Sequence, residues 1–254
     1  MFSVSLPSIR VFFRPTSIES DVSGSITLVP ETADSIEVGL KNTFMDGKLT
    51  LNLAAFYAKY KNFQANNPDI VSGVVVTRFT NAGSISTTGI EADLSFRPSR
   101  NTTFNAGIAI TDAKVVAFNA APGALPTQIV PAGTKLGYAP TVKGSVSFEH
   151  RFVTGSFADV AFGTSMNFQS SQFSLFTPDA VQRRLGTIPG YALVNASLAL
   201  VDPGDNWKLT FHVRNVLDKA YAAAIVNGGV SGAYRYQIPR DADRYFGVSL
   251  RVGF

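Results

Sequence analysis

The feature that most constrains this chain is a period-two alternation of apolar and polar residues, sustained over nine long segments. Period two is the signature of a β-strand, because successive side chains point to opposite faces of a sheet. Phe246, Val248, Leu250, Val252 and Phe254 share one face, while Tyr245, Gly247, Ser249, Arg251 and Gly253 share the other. Trp207, Leu209, Phe211 and Val213 stand opposite Lys208, Thr210, His212 and Arg214. The same pattern predicts strands over 32–44, 48–63, 83–97, 101–116, 140–153, 156–169, 190–202, 206–217 and 240–254. At every second residue, the apolar positions within 36–40, 49–55, 90–96, 104–110, 142–148, 158–168, 192–200, 207–213 and 246–254 carry no Asp, Glu, Lys or Arg.

The connections alternate in length. Asp46-Gly47, Pro98-Ser99-Arg100, Thr154-Gly155 and Pro203-Gly204-Asp205 are tight turns with suitable residues. The intervening links, 64–82, 117–139, 170–189 and 218–239, are long. Strands that run up and down therefore gather the short turns at one end and the long loops at the other. A soluble β-sandwich also alternates, but its strands run about 5–6 residues. The strands here are about twice that, long enough to cross a bilayer. Lipid-spanning barrels combine an apolar outside, a polar lumen, short periplasmic turns, long outer loops and aromatics near the strand ends. Phe96, Phe104, Phe152, Phe157, Phe168, Tyr191 and Trp207 are so placed. The expected fold is all-β, an up-and-down antiparallel transmembrane barrel portion of about nine or ten strands. Single-chain bacterial barrels have even strand counts, so 5–14 or 22–29 is a candidate tenth strand.

Composition narrows the function. Charged residues are 16%, against roughly 25% in soluble domains. With no cysteine, thiolate catalysis and thiolate metal sites are excluded. His150 and His212 are the two histidines, far apart, so no metal or cofactor is expected. No apolar run approaches a transmembrane helix. The net charge of +4 is scattered rather than clustered, which argues against nucleic acid. Met1 to Ser20 lacks the layout of an export signal.

Five short stretches, in order, resemble the TonB-dependent outer-membrane receptors. They are Pro30-Glu31 through Lys41, Asn81-Ala82-Gly83 with Thr88-Gly89-Ile90-Glu91, Tyr191 through Asn195, Asn215-Val216-Leu217-Asp218-Lys219-Ala220-Tyr221, and Pro239-Arg240 leading into the last strand. The resemblance implies a 22-stranded barrel with a plug, of which 30–254 would be the C-terminal portion, with residues 1–29 unassigned. It implies energised uptake of a scarce ligand, most often a ferric siderophore, through the outer membrane of a Gram-negative cell. It also implies a C-terminal signal for the barrel-assembly machinery at Phe246, Val248, Leu250, Val252 and Phe254, and contact with outer-membrane lipid. No plug or TonB-box segment is recognisable, so partnership with the TonB complex is expected only of a full-length protein. The other membrane reading is a small self-contained pore of about ten strands.

Candidate ligand residues are aromatic and basic, a combination that suits an anionic ferric chelate. They are Tyr221, Tyr234, Arg235, Tyr236 and Arg240 in one loop region, Arg183 and Arg184 in another, and His212 and Arg214 on the polar face. Glu37, Lys41, Glu91 and Asp93 are expected to form a salt-bridge ladder inside the barrel rather than an acid–base pair. An enzyme would need a nucleophile and base at a rim, and His150, on the lipid-facing phase, argues against one. The Asn101-Thr102-Thr103 sequon falls at a predicted periplasmic turn.

Overall fold

The protein is described by a computed structural model covering residues 3–5, 10–12, 28–71, 74–120, 129–227, 233–240 and 242–253. Two short strands, β1 (Ser3–Ser5) and β2 (Arg10–Phe12), precede β3 (Thr32–Phe44), β4 (Leu49–Val71), β5 (Val74–Ser99), β6 (Thr102–Phe118), β7 (Val142–Phe152) and β8 (Asp159–Gln169). The next connection holds β9 (Gln172–Phe173), α1 (Ala180–Leu185) and β10 (Thr187–Ile188). Then come β11 (Tyr191–Val201), β12 (Trp207–Arg214), a hairpin of β13 (Ala224–Asn227) and β14 (Tyr234–Gln237), and finally β15 (Tyr245–Val252). The nine long strands pair in chain order from β3 to β15, each antiparallel to its neighbour. This is the predicted up-and-down sheet.

The register explains why each apolar face had to stay free of charge. Leu40, Leu53, Ala92, Ile108, Gly144, Phe168 and Ala192 are successive cross-strand partners over seven strands. Leu198 pairs with Phe162 and Phe211, and Phe211 with Val248. A slip of one residue on any strand would send its charges into this surface, so the hydrophobic pattern fixes the register. The surface is also bare: Phe246 is 74% exposed and Leu250 64%. An apolar sheet face of this extent is stable in hydrocarbon and a liability in water. Four of the five expected assembly-signal residues, Phe246, Val248, Leu250 and Val252, stand on it; Phe254 lies outside the described residues.

β1 and β2 extend the sheet by one strand. Ser3–Ser5 pair with Lys41–Gly39 and Arg10–Phe12 with Asp34–Thr32, both antiparallel and in one unbroken register. Of the expected tenth strand over 5–14, Ser5 and Arg10–Phe12 lie along the outer edge of β3, while 6–9, 13–14 and most of the alternative 22–29 lie outside the described residues. Among the described residues, β15 pairs only with β12, and the far edges of β1, β2 and β15 have no partner.

Three connections differ from expectation. Residues 64–82 are not a loop: β4 and β5 continue as a hairpin up to Val71 and Val74. The predicted strand ended where the register shifts, between Lys61, Phe63 and Gln64, with Asn62 in a left-handed conformation. The apolar–polar alternation of the sequence fades at the same place. Residues 170–189 contain α1, capped by the Asp179 side chain accepting from the amides of Val181 and Gln182. Six residues are too few for a helical period to show in the sequence. β12 stops at Arg214 and β15 starts at Tyr245, because Asn215 and Asp218 adopt positive φ and turn the chain.

Candidate ligand-binding face and outer rim

The polar face is lined by small hydrogen-bonding side chains. Thr43, Thr50, Ser95, Asn105, Ser147, Ser165 and Asn195 form one continuous cross-strand row. Within it Asn105 Nδ2 donates to Ser147 Oγ at 3.4 Å and Asn195 Nδ2 to Ser165 Oγ at 3.3 Å. Beside this row lies a hollow of about 750 Å³ that collects Arg97, Glu149, His212 and Arg214. His212 sits between Ser197 and Gly247 in the register, and a Cβ on Gly247 would run into its imidazole. The ring meets Tyr245 edge-on at 6.3 Å. His212 and Arg214 therefore do face the polar side together, as expected.

The salt-bridge ladder is not formed. Among the described residues, Glu37, Lys41, Glu91 and Asp93 make no ion pair. The register is the reason: Glu37 lies opposite Phe56, Lys41 opposite Asn52, and Glu91 between Ala54 and Ala109. The ionic cluster of the polar side sits at the short-turn end and centres on Arg151. Its Nε donates to buried Asp159 at 2.8 Å, Nη1 to Asp205 at 2.8 Å and Nη2 to the Asp202 carbonyl at 3.1 Å. One guanidinium thus joins β7, β8 and the β11–β12 turn. Its fork geometry is what a lysine lacks. Arg151→Lys is expected to lower the thermal midpoint by about 5 °C, the order expected for a partly retained pair. Melting followed by heat-modifiable gel migration checks this, and an unchanged midpoint would remove the clamp.

At the long-loop end, three connections are knitted together. The Ser174 hydroxyl is 2.7 Å from Tyr138 Oη and accepts from the Ile225 amide at 2.8 Å. Ile188 (0% exposed) and Ile225 (1%) are the two largest fully buried side chains among the described residues, and they cluster with Ala222 against Tyr234. Tyr221 stacks on Tyr191, with ring centroids 4.6 Å apart. Tyr234 is therefore packed, partly buried, against the rim's own core. Arg183 donates to the carbonyls of Thr177 and Pro178 at 2.7 and 2.8 Å, which holds its own loop. Arg184, Arg235, Tyr236 and Arg240 are exposed. Ser174→Ala leaves the buried Ile225 amide without an acceptor. Hydrogen exchange at Ile225 is expected to quicken about tenfold, and an unchanged rate would show that the loops are not coupled through this hydroxyl.

A family model described as TonB dependent receptor-like, beta-barrel matches residues 8–216. This chain belongs to that family. Membership makes it part of a receptor-like β-barrel. No helix among the described residues is long and apolar enough to cross a membrane. The fold is similar to the ferric yersiniabactin uptake receptor FyuA from Yersinia pestis (TM-score 0.72, 16% identity, 100% of this chain and 34% of that one). It is also similar to the pyoverdine receptor FpvA from Pseudomonas aeruginosa (0.70, 19%, 100% and 34%). The FrpB iron transporter from Neisseria meningitidis is a third (0.67, 18%, 98% and 36%). The chain spans about a third of the length of these receptors. No curated protein matches it. The family match begins at residue 8, inside the stretch left unassigned by sequence and close to where β2 joins the sheet.

In this receptor-family barrel the hallmark residues are stitches. Asn81 Oδ1 accepts from the Val29 amide, and Asn81 Nδ2 donates to the carbonyls of Val29 and Asn62, all at 2.8 Å. Glu31 accepts from the Gln64 amide at 3.4 Å, beside the bulge. Gly89 leaves room for the Phe56 ring that lies over it. Asn195 Oδ1 accepts from the Asn215 amide at 3.0 Å, and Asn215 Nδ2 donates to Ala242 O at 2.7 Å.

Proposed function

We propose that this chain is the C-terminal portion of the barrel of an outer-membrane receptor for energised uptake of a ferric siderophore. The observation that carries the reading is the open sheet. Nine strands share an apolar outer face, and the outer edges of β1, β2 and β15 are unpaired among the described residues. Backbone groups in hydrocarbon need partners, so the sheet is completed by further strands. That fits a chain about a third as long as the receptors it resembles. Two of those receptors are named for a ferric or siderophore ligand.

In this reading the outer apolar face at Phe246, Val248, Leu250 and Val252 is read by the barrel-assembly machinery, and the full-length protein receives its energy from the TonB complex. Tyr221 with Tyr191, Arg184, Arg235, Tyr236 and Arg240 meet the chelate at the rim, and His212 and Arg214 line its way inward. Anionic chelates are held there by arginine charge and aromatic stacking. Tyr234 and Arg183 support the rim behind them.

The test is deletion of the reading frame in the native host, followed by uptake of radiolabelled iron from a panel of siderophores under iron starvation. Loss of uptake for one chelate class, with others unchanged, supports the proposal. Uptake unchanged across the panel, with small-solute permeability reduced, would replace it by the ten-stranded pore. An antibody against residues 178–187 reports the mass of the native product in the same cells: receptor-sized for the first outcome, the mass of this chain for the second.

A further inference from the structure

We infer that the long-loop end of the polar face reads an anionic aryl oxygen, so that the chelate is a phenolate or catecholate and not a hydroxamate or a simple carboxylate. The inference rests on the receptor reading above and names the ligand class of that same site. Lys143, Gln169 and Tyr191 are successive cross-strand partners on β7, β8 and β11. Each is next in sequence to a member of the apolar row, Gly144, Phe168 or Ala192, and so points to the opposite, polar side. All three stand where their strands meet the long connections. Directly opposed residues have Cβ atoms about 4.5–5.5 Å apart, so the three side chains form one patch.

Each member supplies something that an aryl oxygen uses. Tyr221, from the irregular stretch between β12 and β13, lays its ring on Tyr191 with centroids 4.6 Å apart and planes tilted by 34°. Such a pair offers a face to a further ring. Tyr221 belongs to no strand, so its ring can shift as the ligand enters beside Tyr191. Gln169 Nε2 is sealed from solvent and has no hydrogen-bond partner among the described residues. A buried donor left unpaired is costly, and an oxygen brought beside it removes that cost. Lys143 is exposed and makes no ion pair among the described residues. Its backbone is held where the Val142 amide donates to Ser170 Oγ at 3.1 Å. Glu91 lies beyond Ala109, two strands from Lys143, or about 10 Å at the usual spacing. Between them the small residues Gly107 and Ala109 leave a hollow of about 360 Å³, with room for the body of a chelate. One ammonium and one amide match a single anionic oxygen. A carboxylate is better matched by an arginine fork, which this patch lacks. A ferric trihydroxamate brings neither net charge nor ring.

The test uses the native host and the full-length product of the gene. Receptor-dependent uptake of radiolabelled iron, the difference from the deletion strain, is measured under iron starvation. Ferric enterobactin and ferric 2,3-dihydroxybenzoate are the aryl chelates, compared with ferrioxamine B and ferric citrate. Uptake from an aryl chelate alone is expected. Lys143→Gln and Gln169→Met should each raise its half-saturating concentration about tenfold, the loss of one hydrogen bond to a charged group. Lys59→Gln removes an equal charge from the opposite face of the sheet and should change nothing. Immunoblots of the outer membrane separate lost receptor from lost affinity. Gln169→Met should keep the receptor at its wild-type amount, because the donor it removes holds nothing within the described residues. Receptor-dependent uptake from ferrioxamine B or citrate in place of the aryl chelates would overturn the proposal and leave the receptor reading intact. So would an unchanged half-saturating concentration in Gln169→Met. Uptake from none of the four would overturn both.

Discussion

Gly83→Ala is expected to destabilise the sheet by about 3 kcal/mol, a full strain cost at one residue. Gly83 has φ +129°, a region closed to side chains, and a Cβ there would run into the backbone carbonyl of Ala117. The close approach is forced by the bulge. Gly83 pairs with Phe63 on one side, directly after the register shift around Asn62, and with Phe118 on the other. Its neighbour Asn81 uses its side-chain amide as if it were a strand segment, giving and receiving hydrogen bonds with Val29. Ala82, between them, is 3% exposed, and its carbonyl accepts from the Asn119 amide. A small residue and a glycine are thus required side by side. The companion Asn81→Asp keeps the acceptor and loses the donors, so it should cost about 1–3 kcal/mol, the penalty for unpaired carbonyls. Urea midpoints of the refolded chain read both. A Gly83→Ala midpoint equal to wild type would mean that the backbone relaxes at the bulge without strain.

This triplet shows why the fold was legible in sequence and the ligand was not. Asn81-Ala82-Gly83, Asn195 and Asn215 hold fixed backbone geometry, so their chemistry is dictated by the fold. The lipid face was legible for a similar reason: hydrocarbon tolerates no charge, which leaves an unbroken apolar phase from Leu40 to Phe246. Where water bathes both sides the constraint lapses, and the outer hairpin of β4 and β5 read as a loop. The polar face obeys a looser rule. Any small polar residue satisfies it, so composition could not reveal that Glu37 faces Phe56 instead of a cation. The rim was the least legible part. Tyr234 and Tyr236 are two residues apart on β14, yet Tyr234 packs on Ile225 while Tyr236 is exposed. Only the meeting of β10 and β13, distant in sequence, decides between them. Arg151 was missed because its three partners lie on separate segments with no spacing that announces them.

Leu53→Arg and Asn52→Arg, adjacent in sequence, are expected to differ by about 2–4 kcal/mol in stability once the chain is in a bilayer. Leu53 stands in the outward row between Leu40 and Ala92, near the middle of the apolar stretch from Leu49 to Tyr57. An arginine there is surrounded by hydrocarbon on every side that the sheet does not cover. Asn52 pairs with Lys41 and Asp93 on the polar face, where an added arginine gains an acidic neighbour and remains in water. Its effect should stay within about 0.5 kcal/mol, the usual range for an exposed substitution. Both variants place the same residue at adjacent positions of one strand, so most of the difference reports what each face touches. Equilibrium unfolding from lipid vesicles measures it, and the same pair in detergent should show a smaller gap because micelles deform around a charge. Equal destabilisation by both variants would mean that both faces are packed or both are wet, and the lipid-facing assignment of the whole sheet would fall with it.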